Sequence, residues 1–290
     1  MSEPANISRD PLPALSIGIV CFNSSELELR KLIASILQAV EHLKQPFSEV
    51  TLPIYLIENS ENQDLILSVM TDYEEQASQL NVEFRLLHGH GNVGYGRAHN
   101  LALPKLESDL HLMLNPDVVL EKECLESGIT FMRDNPGVCV SSPHAEYENG
   151  GKQYLCKRYP SVLTFIVRGF LPPFLRTLFG KRLAAFEMHE LSEDEPCTDI
   201  PIVSGCFMLC RTDALNTVGN FDEKYFLYFE DFDLCVRLGE IGKIAYLPTM
   251  KIIHGGGHAA KKGLDHLQMF AKSGIRFFST HGWRFFRQAR

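Results

Sequence analysis

The sequence predicts an α/β domain in which helices cover both faces of a mostly parallel sheet. Short apolar runs rich in Val, Ile and Leu alternate with segments whose apolar residues recur at helical spacing. The runs are apolar at almost every position, which is typical of parallel strands buried on both faces. In such sheets ligands bind beyond the carboxyl ends of the strands, so the residues after each run are the first candidates for a site.

The first half of the chain supplies this alternation. The run LSIGIVC (15–21) predicts a strand, and the segment 25–43 predicts a helix with Ser25 as its N-cap and Glu28 three residues later. The other predicted elements of this half are strands at 52–59, 82–88 and 110–115 and a helix near 63–79. Polar residues follow the four strands, in the sequences CFNSSE, IENSEN, HGHGNVGYGRAHN and NPD.

The second half contains a cluster of acids among aromatic residues. A strand-like run at 200–210 leads to the stretch LYFEDFDLC (227–235), where Glu230, Asp231 and Asp233 lie at the start of a helix predicted over 228–238. Charged groups are costly to desolvate, so carboxylates in such surroundings indicate either a functional site or the ordinary preference of acids for a helix N-terminus. Residues 243–258 predict one or two strands that end in a glycine run.

Composition limits the class of protein. The 290 residues carry a formal net charge of −8, which argues against binding nucleic acid through bulk electrostatics. None of the 8 cysteines forms a CxxC pair, so a zinc knuckle or a thioredoxin-type site is not expected. The N-terminus has no apolar signal-peptide core, and no run reaches the ~20 apolar residues of a membrane span. We therefore expect a cytoplasmic protein.

Seven motifs in a fixed order carry a family resemblance. They are CFNS (21–24), IENS (57–60), GNVGYGRAHN (91–100), LNPD (114–117), VSGCFMLCR (203–211), VGNFDEKYFLYFEDFDLCVRLGEIG (218–242) and the late His254. This order resembles glycosyltransferase family 2, and within it the bacterial rhamnosyltransferase-like enzymes that build O-antigen and other cell-surface polysaccharides.

The resemblance implies a GT-A fold and an inverting, metal-dependent transfer of a sugar from a nucleoside diphosphate donor. It covers residues from about 15 to about 260. We expect a domain at 1–260, with a nucleotide-binding half at about 15–120 and an acceptor-binding half at about 121–260, followed by a helical extension at 261–290.

The resemblance also implies roles for individual residues. Asp231 is the expected catalytic base, and Glu230 is expected to position the acceptor or to orient neighbouring groups. The expected donor-binding residues are Phe22, Asn23, Glu58, Asn92, Gly94, Arg97, Asn100, Asn115 and Gly205. Arg97 is available to a phosphate, and Glu58 stands where the family usually has Asp.

Asp117 and His254 are the expected ligands of a divalent metal, Mn²⁺ or Mg²⁺. Asn115 stands where the family's DxD motif often has its first acid. From the residues alone, Asp117 is also interpretable as a turn residue and His254 as a structural histidine. The glycine run after His254 favours close approach by a ligand.

The resemblance implies L-rhamnose from dTDP-L-rhamnose as the transferred sugar. The implied acceptor is a lipid-linked or lipopolysaccharide saccharide at the inner face of the cytoplasmic membrane. Two alternatives stay open: a nucleotidyltransferase that makes sugar nucleotides, and a non-catalytic carbohydrate-binding protein on the same fold. Against the first, the chain lacks an N-terminal GxGTRL-type signature.

Two basic aromatic segments raise the question of membrane contact. Residues 152–190 and the tail from about 264 to 290 combine Arg and Lys with bulky apolar side chains. Such segments suit the interface of an anionic bilayer. They equally suit amphipathic helices that pack on the domain, and both interpretations stay open.

Overall fold

The computed structural model describes residues 12–43, 51–255 and 264–286. The strands in these ranges are β1 (Leu15–Cys21), β2 (Leu52–Glu58), β3 (Val82–Leu87), β4 (Leu110–Leu114), β5 (Val118–Leu120), β6 (Val138–Glu146), β7 (Lys152–Gln153), β8 (Cys156–Lys157), β9 (Ile202–Val203), β10 (Phe207–Arg211) and β11 (Lys243–His254). The helices are α1 (Glu26–Glu41), α2 (Asp64–Gln79), α3 (Tyr95–Ala102), α4 (Cys124–Asp134), α5 (Val162–Phe170), α6 (Pro173–Arg176), α7 (Gly180–Phe186), α8 (Thr212–Val218), α9 (Glu230–Leu238) and α10 (Leu264–His281).

The elements predicted for the first half are confirmed to within two residues at each end. Ser25 caps α1 as expected, since its Oγ accepts a hydrogen bond from the backbone N–H of Glu28 at 3.5 Å. The run predicted at 200–210 is divided into β9 and β10. Residues 243–254 form the single long strand β11, while 256–258 of the glycine run lie outside the described residues.

Within the described residues, one sheet has the strand order β3-β2-β1-β4-β10-β6-β11-β5, with β7 beside β6. The strands β3, β2, β1 and β4 pair in parallel, as predicted. The second half of the sheet is mixed, because β10 is antiparallel to both β4 and β6 and β5 is antiparallel to β11. Hence the sheet contains more antiparallel pairing than the sequence suggested.

The antiparallel pairs determine which residues meet at the site. Phe207 pairs with Leu114, so the residues that precede β10 lie beside those that follow β4. His254 pairs with Val118, which brings the end of β11 next to Asp117. These pairings join segments that are far apart in the sequence.

Helices cover both faces of the sheet, as predicted. Successive residues of a strand point to opposite faces, and Leu112 and Met113 accordingly belong to two different buried clusters. The first cluster lies under α1, α2 and α4, and the second lies under α8, α9 and α10. The α/β fold class is therefore confirmed.

The C-terminal helix α10 is part of the domain. Phe277 and Phe278 are 0% and 1% exposed, and Phe270 stacks on Phe165 of α5 with ring centroids 4.9 Å apart. An added Cβ at Gly274 would lie 2.2 Å from the Phe165 ring, so the two helices are in close contact. For residues 264–281 these contacts favour packing on the domain over docking on lipid.

Candidate active site

A chain of hydrogen bonds links the end of β4 to the start of α9. The backbone N–H of Asn115 donates to the carbonyl oxygen of Cys206 at 3.0 Å, and the N–H of Gly205 donates to Asp231 Oδ2 at 2.9 Å. A Cβ at position 205 would lie 3.3 Å from both the Asp231 Cβ and the Tyr95 ring, so a side chain there would crowd the carboxylate.

The turn before α9 has an unusual backbone conformation. Tyr228 and Phe229 both adopt left-handed conformations, with φ of 70° and 65°, which costs bulky residues about 1–3 kcal/mol each. Helix α9 starts directly after this turn with Glu230 and Asp231. The surrounding structure therefore maintains a strained turn whose effect is to orient two adjacent carboxylates.

Asp233, the third acid of the stretch, has a structural role. Its side chain is 2% exposed, and it bonds Arg237 Nη2 at 2.6 Å and His281 Nε2 at 2.7 Å. It thereby ties α9 to the end of α10. The acid cluster thus divides into one anchoring residue and two residues, Glu230 and Asp231, that line a cavity.

The Glu230–Asp231 pair is electrostatically asymmetric. Burial raises the pKa of both carboxyl groups, and the charge of Asp231 raises the pKa of Glu230 further. Asp231 accepts two backbone hydrogen bonds, from Gly205 and Phe232, each 2.9 Å long, which favours its ionised form. Glu230 is 5% exposed, and its Oε2 has no hydrogen-bond partner within the described structure. The pair therefore keeps its first proton on Glu230 and its negative charge on Asp231.

Asp117 and His254 are brought together at the end of β11. Asp117 Oδ1 lies 3.4 Å from His254 Nε2, and the two side chains are 13% and 12% exposed. The amide of Gln153 makes two bonds to His254: its Oε1 lies 2.7 Å from Nδ1, and its Nε2 donates to the backbone oxygen at 2.7 Å. This pattern assigns the ring proton to Nδ1, so the Nε2 lone pair faces Asp117.

These side chains fit a divalent metal held jointly with a diphosphate. Among the described residues, no group of three or more His, Cys, Asp and Glu side chains is arranged to hold a metal ion. One carboxylate and one neutral imidazole suit a cation whose other positions are taken by phosphate oxygens and water. Asn115, two residues before Asp117, adds a neutral amide to the same loop.

A cavity of about 530 Å³ lies beside Asp117 and serves as the candidate donor cavity. Five of the expected donor-binding residues line it: Phe22, Asn23, Asn92, Gly94 and Asn115. The Phe22 side chain is 51% exposed, so its ring is available for stacking with the nucleobase of a donor. The volume is in the range of small-molecule sites.

Glu58, another expected donor-binding residue, is buried and does not line this cavity. It is 3% exposed, and its Oε1 accepts hydrogen bonds from the N–H and the hydroxyl of Ser60 at 2.7 and 2.5 Å. Its neighbour Asn59 lines the cavity instead, and the Asn59 side chain donates to the Gly94 carbonyl at 3.2 Å. Asn59 was not among the expected site residues, although its place directly after β2 was a signal for it.

Arg97 and Asn100 point away from the donor cavity. Arg97 Nη2 donates to the Glu223 carbonyl at 2.7 Å, and the Asn100 side chain makes two bonds to the backbone of Phe221, at 3.0 and 3.1 Å. Both residues hold the segment that leads to α9. Gly205, as described above, contacts Asp231 and does not line the donor cavity.

Gly94 supports the donor cavity from one side. Its φ is 89°, and an added Cβ would lie 2.2 Å from the Phe226 carbonyl oxygen, which accepts a hydrogen bond from Tyr95 N at 3.1 Å. A side chain at this position would therefore separate two walls of the cavity.

We expect Gly94→Ala to lower the free energy of unfolding by roughly 1–3 kcal/mol more than Gly89→Ala. Gly89 has a similar φ of 84° but open space around it, so the control carries the backbone cost alone. Urea unfolding of both variants measures the difference. Nucleotide affinity should fall only for Gly94→Ala, and equal stabilities of the two variants would contradict the close contact with Phe226.

A comparison with family models and curated proteins gives consistent matches. The model described as Glycosyl transferase family 2 matches residues 16–219. The N-acetylglucosaminyl-diphospho-decaprenol L-rhamnosyltransferase of Mycobacterium tuberculosis is 28% identical over 229 residues, which cover 73% of each chain. Rhamnosyltransferase WbbL of Escherichia coli is 26% identical over 195 residues, covering 63% of this chain and 66% of that protein.

Solved structures share the fold at low sequence identity. A mannosyltransferase of Pyrobaculum calidifontis in complex with GDP-Man and Mn²⁺ aligns with a TM-score of 0.59 at 13% identity, over 94% of this chain and 65% of that one. GalNAc-T7 with UDP, GalNAc and Mn²⁺ aligns at 0.57 and 14% identity, over 84% of this chain and 44% of that one. The chain spans less than two thirds of either solved chain. The alignments confirm the predicted GT-A fold.

Proposed function

Because the chain belongs to glycosyl transferase family 2 and is a glycosyltransferase, we propose that it transfers L-rhamnose, with inversion, from dTDP-L-rhamnose. The proposed acceptor is a saccharide of a lipid-linked precursor or of lipopolysaccharide. The family assignment favours a glycosyltransferase over the two alternatives that the sequence left open, a nucleotidyltransferase and a non-catalytic binding protein.

The observation that carries the proposal is the link between the donor cavity and Asp231. Asn115 lines the donor cavity, and the bonds from Asn115 to Cys206 and from Gly205 to Asp231 connect that wall to the carboxylate. Asp231 also lines a second cavity. This arrangement suits a base that acts on an acceptor while the donor lies next to it.

In the proposed reaction, Asp231 takes the proton from an acceptor hydroxyl. The hydroxyl oxygen bonds to C1 of the donor sugar, and the bond from C1 to the diphosphate oxygen breaks on the opposite face. Glu230, which keeps its proton, is suited to donate a hydrogen bond to the acceptor or to a neighbouring group.

Asp117 and His254 would hold a divalent metal, with Gln153 fixing the His254 ring. When bound, such an ion supplies charge stabilisation for the departing diphosphate.

Isothermal titration with dTDP, UDP and GDP, each with Mn²⁺ and in EDTA, tests the donor assignment. The proposal expects dTDP to bind most tightly, and every affinity to fall without metal. Tightest binding of UDP or GDP would refute the rhamnose donor and leave the family assignment unchanged.

The proposal includes reaction at the inner face of the cytoplasmic membrane. Within the described parts of the chain, no helix combines the length and the apolar character needed to cross a bilayer. The segment around α6 instead exposes bulky apolar groups: Phe174 is 71% exposed and Leu178 is 77% exposed. The exposed Lys181 of the same segment would add attraction to anionic lipid, on the order of 1 kcal/mol.

We expect Phe174→Ser combined with Leu178→Ser to reduce flotation with phosphatidylglycerol vesicles. The two side chains are the most exposed apolar groups of the segment, so the double change removes most of the apolar area available for insertion. Leu67→Ser, which changes a 41% exposed leucine on α2, is the matched control. If the double variant floats like the wild-type protein, this segment does not contact the membrane.

A further inference from the structure

A second cavity, of about 520 Å³, lies beside Asp231. It is bounded by α5, α6, the start of α9 and α10, and its wall holds both Glu230 and Asp231. Two arginines, Arg168 and Arg176, line the same cavity. A sugar acceptor that reaches Asp231 therefore also meets two guanidinium groups.

These arginines and Lys157 form a group of cations that outnumbers the carboxylates paired with it. Lys157 and Arg168 share the carboxylate of Glu187, at 3.3 and 3.7 Å. No carboxylate among the described residues forms an ion pair with Arg176, whose Nε donates to the Leu171 carbonyl at 2.8 Å. Burial and the nearby charge of Arg168 lower the pKa of Lys157 to about 8. The net charge of this group of side chains is therefore positive.

Arg168 lies close enough to Asp231 for its charge to oppose the rise in the pKa of that carboxyl group. Within the described structure, neither Arg168 nor Arg176 forms an ion pair with Glu230 or Asp231, although all four line the cavity. The cavity thus offers carboxylates to a reacting hydroxyl and guanidinium groups to an anion. Guanidinium groups match phosphate oxygens with paired hydrogen bonds.

An exposed apolar surface adjoins the cavity. Phe170, which follows Arg168 on α5, is 42% exposed and contacts Phe165 with ring centroids 5.5 Å apart. Phe174 on α6 is 71% exposed. Phe165 lines the cavity and Phe174 lies two residues before Arg176, so exposed aromatic side chains adjoin the cavity next to the arginines.

We infer that Arg168 and Arg176 bind a phosphate or diphosphate group of the acceptor, between the reacting sugar at Asp231 and an apolar chain over Phe170 and Phe174. The inference rests on the proposed function and deepens it, because it selects a lipid-linked phosphate ester over a neutral saccharide as the acceptor. Its sugar lies beside Glu230 and Asp231, and its lipid continues over the exposed aromatic side chains.

Binding of farnesyl diphosphate, farnesol and inorganic diphosphate to the full chain tests the inference. Titrations in EDTA remove any metal-bridged binding of diphosphate at Asp117. We expect Arg168→Gln and Arg176→Gln each to weaken farnesyl diphosphate binding by about 10-fold or more. Lys243→Gln, which changes an exposed charge at the start of β11 outside the cavity, should have no effect. Farnesol binding should be equal in all variants, which also shows that they are folded.

Three results would overturn the inference. In the first, the arginine variants bind farnesyl diphosphate like the wild-type protein. In the second, inorganic diphosphate binds as tightly as farnesyl diphosphate, which would indicate an anion site without a lipid. In the third, the variants lose flotation with phosphatidylglycerol vesicles and keep farnesyl diphosphate affinity, so that the arginines face the bilayer. Because no donor is present, these results are independent of whether dTDP-L-rhamnose is consumed.

Discussion

Replacement of Asp231 by Asn is expected to lower the rate of sugar transfer by about 10²–10⁴-fold, the usual contribution of a general base. The amide keeps the size of the side chain, and its oxygen can still accept the N–H of Gly205, which lies 2.9 Å from Oδ2. Donor affinity should stay nearly unchanged, because Asp231 lines the acceptor side. Single-turnover kinetics with a nucleotide titration separate the two effects.

The comparison variant is Glu230→Gln. Since Glu230 keeps its proton in the pair, a neutral amide preserves its charge state, and the loss of rate should be smaller than for Asp231→Asn. Equal losses, or transfer by Asp231→Asn within a few-fold of the wild-type rate, would contradict the assignment of Asp231 as the base.

The same pair predicts the acid limb of the pH profile. The base must be ionised to accept a proton, and burial raises the pKa of Asp231 above its ordinary value. Activity should therefore decline on acidification at a higher pH than an ordinary aspartate would give. An acid limb at or below the usual aspartate range would show that another group limits the rate.

Replacement of Asp117 by Asn is expected to have the next largest effect. It removes the only carboxylate proposed as a metal ligand, and lost stabilisation of several kcal/mol at the departing diphosphate lowers the rate by about 10²-fold or more. Mn²⁺ binding in the presence of dTDP, followed by electron paramagnetic resonance, should weaken in parallel. This readout does not depend on transfer.

Gln153→Leu provides a graded control for the metal site. It removes both bonds to His254 and leaves both proposed ligands in place, so Mn²⁺ affinity should fall by roughly 10–100-fold. If Asp117→Asn binds Mn²⁺ and dTDP like the wild-type protein, the ion lies elsewhere.

The sequence predicted the parallel half of the fold because its signals are local. The strand over 15–21 and the helix capped by Ser25 follow from periodicity and capping within a short segment. The same local reasoning pointed to the ends of strands, where Asn115 and Asp117 are found. It also pointed to the three acids of the aromatic stretch, and the family resemblance selected Glu230 and Asp231 among them.

Other features depend on contacts between distant segments. The position of β10 between β4 and β6 results from antiparallel pairing with residues about 100 positions away in β4 and about 70 positions away in β6, and no local pattern specifies it. Gln153 reaches His254 through β7, a two-residue strand beside β6. In the sequence, nothing distinguishes Asp233 from Glu230 and Asp231. Its structural role depends on His281, which lies at the end of α10.

The anomeric configuration of the new glycosidic bond tests the central claim most directly. Proton NMR of the product formed from dTDP-L-rhamnose and a lipid-linked diphosphate acceptor measures it. A single displacement with Asp231 as the base predicts a configuration opposite to that of the donor, with one dTDP released for each sugar transferred. Retention of the donor configuration, or no transfer from dTDP-L-rhamnose, would contradict the account.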